Sequence, residues 1–324
     1  MAPRPGARRL MNRRQLMLAP YHAFQSLRNQ LYDRHILRAH PLGRWTISVG
    51  NLSFGGTGKT PMVIFLAQQL QQRGHRPAVL LRGYRAVNGV SDEATLLQQK
   101  LPGVPVIADP DRLAGAAAAL QHQPPPDLFI LDDALQHRRA RRDVNLILIN
   151  AAQHARQFLR ESPSALRRAS AVVLTHAGET TQISNLESQI RHYNPTAPIF
   201  HCDHVHLSLL DAANAEFPMT TLASRRFIIA SAIGDAAGFG AAIENFATPL
   251  AHMKLSDHHP FDAATVSQMQ TLAKSQSADA IVVTEKDWTK LAAHRAVIPI
   301  LRVRLGLEFR PGDADKLLAI ASPP

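Results

Sequence analysis

Lys59 and Thr60, in the stretch SVGNLSFGGTGKTP at residues 48–61, are the residue types that handle nucleotide phosphates. A lysine here can reach the β- and γ-phosphates, and the threonine hydroxyl can ligate Mg²⁺. Ser53, Phe54, Gly55, Gly56, Thr57 and Gly58 lead into them. Consecutive backbone N–H groups of such a loop, followed by a helix N-terminus, form an anion cradle. The strict pattern G-x-x-x-x-G-K-[ST] has glycine where this chain has Ser53, so the loop is a variant P-loop. A second signal lies in DLFILDD at 127–133, where a four-residue apolar strand ends in Asp132 and Asp133. Paired carboxylates at a strand end beside a phosphate loop hold or orient Mg²⁺. Next come His137, Arg138, Arg139, Arg141 and Arg142, a basic cluster that is either a solvated turn or a surface for phosphate.

These groups need elements to position them. Trp45, Ile47 and Val49 predict a strand into the loop, and Met62 to Leu70 an amphipathic helix out of it, with Pro61 suited to its first turn. Strands are predicted at 77–82, 104–108, 128–131, 144–149 and 171–174, and a helix at 113–120. Asp92 or Ser91 can cap the helix that carries Leu96 and Leu97. Beyond residue 200, HCDHVHLSL at 201–209 and LRVRLGLEF at 301–309 alternate polar and apolar residues, the period of half-exposed strands that can pair as an inter-domain linker. Residues 227–233 and 281–284, with a helix around 239–246, repeat the α/β pattern.

The chain has 324 residues, which favours two α/β domains. Hydrophobic content is 45% with 6% aromatics, so the core should be aliphatic. A net charge of +11 calls for an anionic partner: nucleotide phosphates, nucleic acid or an acidic membrane. The single cysteine, Cys202, excludes an internal disulfide and a cysteine zinc site, and reads as a small buried hydrophobe. Five arginines within residues 1–14 precede an amphipathic stretch at 15–37, and no apolar run approaches the ~20 residues of a spanning helix. This arm either lies on an anionic leaflet or packs on the domain.

Taken in order, GNLSFGGTGKTP, LLRGYR, SDE, DPDR, DDALQHRRARRD, LRE, SDHH and TEKDWTKL resemble the tetraacyldisaccharide 4′-kinase (lipid A 4′-kinase) family, from about Tyr21 to the C-terminal strand. The resemblance implies two α/β/α sandwich domains, the first a P-loop NTPase-like parallel sheet, joined by a short β linker. The divisions are 1–200, a linker at 201–222 paired with 301–309, and a smaller closing domain at 223–324. It implies transfer of the γ-phosphate of ATP, with Mg²⁺, to the 4′-hydroxyl of a lipid A disaccharide precursor. The site would be peripheral, on the cytoplasmic face of the bacterial inner membrane. It also implies Asp92 as general base, tuned by His258 of the DHH triplet, and Lys59 on the phosphates. Thr60, Asp132, Asp133 and Glu161 would serve the metal, and Tyr84, Arg112, His137 and Arg160 the acceptor. Ser91, Arg85 and Ala134 stand where the family has glycine.

Rival readings fail on particular residues. A GTPase switch needs D-x-x-G, where Leu135 and Gln136 follow the carboxylates, and a spaced K-x-D, where Lys286 and Asp287 are adjacent. A partitioning ATPase has lysine where Phe54 stands. Nucleic-acid binding would show a platform of interleaved aromatics, which is missing. A non-catalytic or differently specific P-loop ATPase at the membrane is the remaining alternative.

Overall fold

The computed structural model describes residues 24–53, 56–83, 91–152, 160–179, 183–257 and 259–324. Strand β1 (Trp45–Asn51) lies between β4 (Leu128–Asp132) and β5 (Val144–Asn150), all parallel. Beyond β4 come β2 (Pro77–Leu81) and β3 (Val106–Ala108), and beyond β5 come β6 (Ala171–Thr175) and β7 (Ile199–Leu210). Every residue of β2, β4, β5 and β6 is buried, as a parallel sheet covered on both faces requires.

Alternation along the strands sends each side chain to one of two layers. Ile47, Val49, Ile130, Leu146 and Leu148 pack with Met62, Val63, Leu66 and Leu70 of helix α1 (Lys59–Gln72). On the opposite face Leu80, Phe129 and Leu131 meet Ala116 and Ala119 of α3 (Arg112–Ala119). Ile147 and Ile149 meet Leu166 of the 3₁₀ turn Pro163–Arg168 and Leu186 and Ile190 of α4 (Ile183–Tyr193). Helix α2 (Asp92–Lys100) follows β2, and its cap is Ser91, whose hydroxyl accepts from the Ala94 N–H at 3.2 Å.

The second half of the chain adds β8 (Glu216–Pro218), β9 (Phe227–Ser231), β10 (His252–Lys254), β11 (Ala280–Thr284) and β12 (Ile300–Phe309) to the same sheet. Helices α5 (Ala236–Glu244), α6 (Ala263–Ser275), α7 (Glu285–Leu291) and α8 (Asp313–Ala321) accompany them. The order is β10-β9-β11-β12-β7-β6-β5-β1-β4-β2-β3, with β8 on β7. All pairs are parallel except β7–β12 and β7–β8. Residues 203–208 of β7 run on past the end of β6, and 304–309 of β12 run on past the end of β11. Because β7 and β12 are antiparallel, the carboxyl ends of the two parallel runs face each other across this ribbon. Ligands of open α/β sheets bind at such strand ends.

The expected strands fall within a few residues of those observed. Short β8 and β10, and helices α6, α7 and α8, were not foreseen. Glu285 to Asp287 follow the end of β11, where Thr284 caps α7, its hydroxyl accepting from the Asp287 N–H at 3.1 Å. Cys202 is 1% exposed, and burial pushes its thiol up to about 12, so it behaves as the small hydrophobe expected.

Gly50 is required by close approach. A Cβ there would lie 2.6 Å from Leu135 Cβ and 2.8 Å from the Leu135 nitrogen, where the turn after β4 packs on β1. Gly50→Ala should cost about 1–3 kcal/mol of overpacking. The check is a urea midpoint against wild type: a lower midpoint at unchanged slope is expected.

Candidate active site

The phosphate loop leaves β1 at its carboxyl end, and three polar side chains on neighbouring strand ends hold it. Asn51 Nδ2 donates to Thr57 Oγ1 at 2.9 Å, Asn150 Nδ2 to the Gly56 carbonyl at 3.2 Å, and Thr175 Oγ1 to the Thr57 carbonyl at 3.2 Å. Gly58 takes φ 78°, the left-handed region, at the N-cap of α1. A Cβ there would also collide with His204 Nε2 at 2.4 Å. Lys59 and Thr60 are the first two residues of α1, so they stand where the helix dipole and its open N–H groups favour an anion. Ser53 is buried at the loop's start.

Asp132 ends β4 opposite Val49, and Asp133 follows with φ 49°. The two carboxyls differ in environment. Burial, with the Glu93 charge next in weight, raises Asp132 to about 7. Its Oδ1 has no hydrogen-bond partner. Burial also pushes Asp133 upward, but Lys59 and Arg160 outweigh it and the net shift is downward. Lys59 Nζ is 3.5 Å from Asp133 Oδ1, and Arg160 Nη1 donates to Asp133 Oδ2 at 2.8 Å. Arg160 is placed by its N–H, which donates 2.6 Å to the Leu52 carbonyl beside the loop. The next residue, Glu161, is 1% exposed, paired with Arg168 through Oε2, and its Oε1 has no hydrogen-bond partner.

Arg112 is 1% exposed, and its terminal nitrogens donate to the carbonyls of Asp109 at 2.6 Å and Asp132 at 3.2 Å. It thus braces the strand end that carries the carboxylates. His137 is lowered to about 4 by burial and then by Arg112, Arg28 and Arg142, and is neutral at pH 7.

The basic run after it is largely spent on structure rather than offered as one phosphate surface. Arg142 donates to the Ala134 carbonyl at 2.6 Å, and burial, then Arg168, lowers it to about 10. Arg138 donates to the Asn29 carbonyl at 2.8 Å and Asp33 Oδ1 at 2.7 Å, and Arg139 lies 3.1 Å from Asp111. Residues 24–33 are helical, so Arg138 ties this N-terminal helix to the turn after β4. Arg28 completes the join by donating to the Gln136 carbonyl at 2.8 Å.

Asp92, on the first turn of α2, meets the second parallel run. Lys290 Nζ of α7 is 3.1 Å from its Oδ2. Lys290 also donates to the His259 carbonyl at 2.9 Å. Asp257 pairs with Lys286 at 3.5 Å, and Asp287, fully buried, accepts from the Ala232 N–H at 3.1 Å. Among the sequence-expected site residues, Phe54, Gly55, Tyr84 and His258 lie outside the described residues, as does Arg85. The structure draws Lys59, Asp132, Asp133 and Arg160 together on the loop side and pairs Asp92 with Lys290, which also holds the His259 carbonyl. Sequence reasoning missed Asn51, Asn150, Thr175 and Lys290. A polar residue closing each of three apolar strands was the available signal for the first three.

A phosphate loop braced on a parallel sheet, with a lysine, paired carboxylates and a second α/β run facing it, defines a P-loop nucleotide-binding protein. The family model for tetraacyldisaccharide-1-P 4′-kinase matches residues 15–321. The tetraacyldisaccharide 4′-kinase of Syntrophus aciditrophicus (strain SB) is 34% identical, covering 91% of this chain and 88% of its own. That of Geobacter metallireducens is 32% identical over 91% and 90%. The crystal structure of apo-form LpxK from Aquifex aeolicus in complex with ATP superposes with a TM-score of 0.74 at 28% identity, covering 94% of this chain and 97% of that one. The chain belongs to the tetraacyldisaccharide-1-P 4′-kinase family.

The buried Asp132 carboxyl gives a testable pH dependence. Its folded-state value of about 7 exceeds the ordinary 3.8, so the folded state binds the proton more tightly than the unfolded chain. Asp132 therefore costs stability progressively as pH rises from about 4 towards 7, and the full cost persists above that. Asp132→Asn should raise the melting temperature of the ligand-free protein at pH 8, with the gain shrinking as pH falls towards 4. Melting curves of both proteins across that range check it.

Proposed function

We propose that this kinase transfers the γ-phosphate of ATP to the 4′-hydroxyl of a tetraacyldisaccharide 1-phosphate. One observation carries the reading: Lys59, 3.5 Å from Asp133, and Asp92 both lie past the carboxyl ends of the first run of strands, and Asp92 pairs at 3.1 Å with Lys290 of the second run. The ATP complex of the Aquifex relative supports the choice of nucleotide.

In this reading the N–H groups of residues 53–60 cradle the phosphates, and Lys59 moves from Asp133 to neutralise charge on the β- and γ-oxygens. Asp92 accepts the acceptor's hydroxyl proton as its oxygen attacks the γ-phosphorus. The bond to the β,γ-bridging oxygen breaks, and ADP leaves. His258 tunes Asp92. Arg160, His137 and Tyr84 line the acceptor side, with Arg112 ordering the Asp132 strand end.

The donor set suits Mg²⁺, a hard cation that takes oxygen ligands and keeps waters. The Asp132 Oδ1 and Glu161 Oε1 atoms are buried without hydrogen-bond partners. No group of three or more His, Cys, Asp or Glu side chains with metal-holding geometry occurs among the described residues, so phosphate oxygens would complete the shell. Thr60, Asp132, Asp133 and Glu161 would hold the ion directly or through its waters, and it would screen charge on the phosphates.

Kinase assays with radiolabelled ATP and a tetraacyldisaccharide 1-phosphate test the assignment. Lys59→Ala should lower turnover about 10³-fold, and Asp92→Asn about 10²-fold or more, with ATP affinity nearly unchanged in the second. A folded Lys59→Ala protein at wild-type rate would refute the phosphate role.

The acceptor's lipid nature fits a peripheral site on an anionic membrane surface, here read as the cytoplasmic face of the inner membrane. Among the described residues no helix is long and apolar enough to cross a membrane. The helical segment 24–33 turns one side to the protein through Arg28, Asn29 and Asp33. Phe24 at 63%, Leu27 at 57% and Ile36 at 64% exposure remain outside, beside exposed Arg34 and Arg38. The arginine arm at 1–14 lies outside the described residues, and each basic residue near an anionic surface adds about 1 kcal/mol. Phe24→Ser with Leu27→Ser and Ile36→Ser should reduce sedimentation with phosphatidylglycerol vesicles at all salt concentrations. Binding equal to wild type would place the contact elsewhere.

A further inference from the structure

Helix α7 brings to the site a cation that none of these roles uses. Lys290 is 8% exposed at its side chain and lies 3.1 Å from Asp92 Oδ2. It donates to the His259 carbonyl at 2.9 Å, so two of its three N–H bonds are directed. Its position is fixed from several sides. Thr284 caps α7, and the buried Asp287 carboxylate accepts from Thr284 Oγ1 at 2.7 Å and from the Ala232 N–H at 3.1 Å. At the other end of the pair, Lys100 of α2 forms an ion pair with Glu285 of α7. The two helices thus carry two ion pairs in antiparallel sense, with each acid in a first turn and each lysine near a last turn, where the helix dipoles favour them.

Such a lysine is unlike a solvated surface cation. An exposed ion pair leaves both side chains free to wander and contributes little. A buried ammonium held by a backbone carbonyl presents one fixed direction to a carboxylate. We propose that Lys290 is a positioning residue for phosphoryl transfer: it orients the Asp92 carboxylate through Oδ2 and links that orientation to the backbone at His259. The inference rests on Asp92 acting as the base. Lys290 exchanges no proton with substrate and touches no phosphate. It acts on kcat through Asp92, and ATP affinity is left to the loop at residues 53–60.

The test is a double-mutant cycle on the full chain, with kcat and the KM for ATP measured at saturating tetraacyldisaccharide 1-phosphate. Lys290→Met should lower kcat about 10- to 100-fold, the range seen when an orienting partner of a reactive group is removed. The KM for ATP should stay within about twofold, and Lys290→Arg should recover much of the loss. In an Asp92→Asn background, adding Lys290→Met should cost less than about twofold, because the group it orients is already gone. Lys290→Gln, which keeps a donor, replaces Lys290→Met if that variant does not fold. Wild-type kcat in folded Lys290→Met beside an impaired Asp92→Asn would overturn the role of Lys290 alone, as would additive losses in the double variant. Wild-type kcat in Asp92→Asn would overturn the base on which the inference rests.

Discussion

The antiparallel pairing of β7 with β12 is the constraint on which the rest depends. A parallel strand at that place would send both runs of strands the same way, and their carboxyl ends would share one edge. Reversal at this pair, with Cys202 opposite Phe309 and Leu210 opposite Arg302, turns the ends of β1, β4 and β6 toward those of β9 and β11. Asp92, delivered after β2, reaches Lys290, delivered after β11. Chemistry between two anionic reactants benefits from such an arrangement, because positioning and charge stabilisation supply most of the catalysis in phosphoryl transfer.

Electrostatics then divides labour between neighbours in the chain. Asp132 and Asp133 are one peptide bond apart, yet burial raises the first to about 7, while Lys59 and Arg160 draw the second down. Asp133 takes a left-handed φ of 49° just past the end of β4. Asp132 is held at a cost to the ligand-free fold. Buried carboxylates without partners persist where a site needs them. Asp133 meanwhile gives Lys59 an anion to rest against, which a nucleotide phosphate can replace. Farther along, Arg28 and Arg138 stitch the helix at 24–33 to the turn after β4, and Arg142 braces that turn through the Ala134 carbonyl.

How much of this was legible in the sequence follows from how local each signal is. The apolar runs at Leu128–Leu131 and Val144–Ile149 announced buried strands because every residue in them is buried, and the loop at 53–60 announced itself by glycines and lysine in register. The paired period-two stretches at 201–209 and 301–309 were readable for the same reason. The uses of Arg138 and Arg142 were not, since their partners are backbone carbonyls set by the fold of distant residues. Nor was Lys290, which meets Asp92 only through the packing of two helices far apart in the chain. Ser91 is an intermediate case: a serine before an acidic first turn reads as a cap, but sequence left it equal with Asp92 until the hydroxyl was seen on the Ala94 N–H.

The central claim is that one cleft holds phosphates on Lys59 and the attacking hydroxyl at Asp92. A crystal structure with a non-hydrolysable ATP analogue and Mg²⁺ tests it most directly. The account predicts a γ-phosphate oxygen about 3 Å from Lys59 Nζ, with Asp92 on the side of the γ-phosphorus opposite the β,γ-bridging atom. A γ-phosphate remote from Lys59, or Asp92 on the leaving-group side, would contradict it.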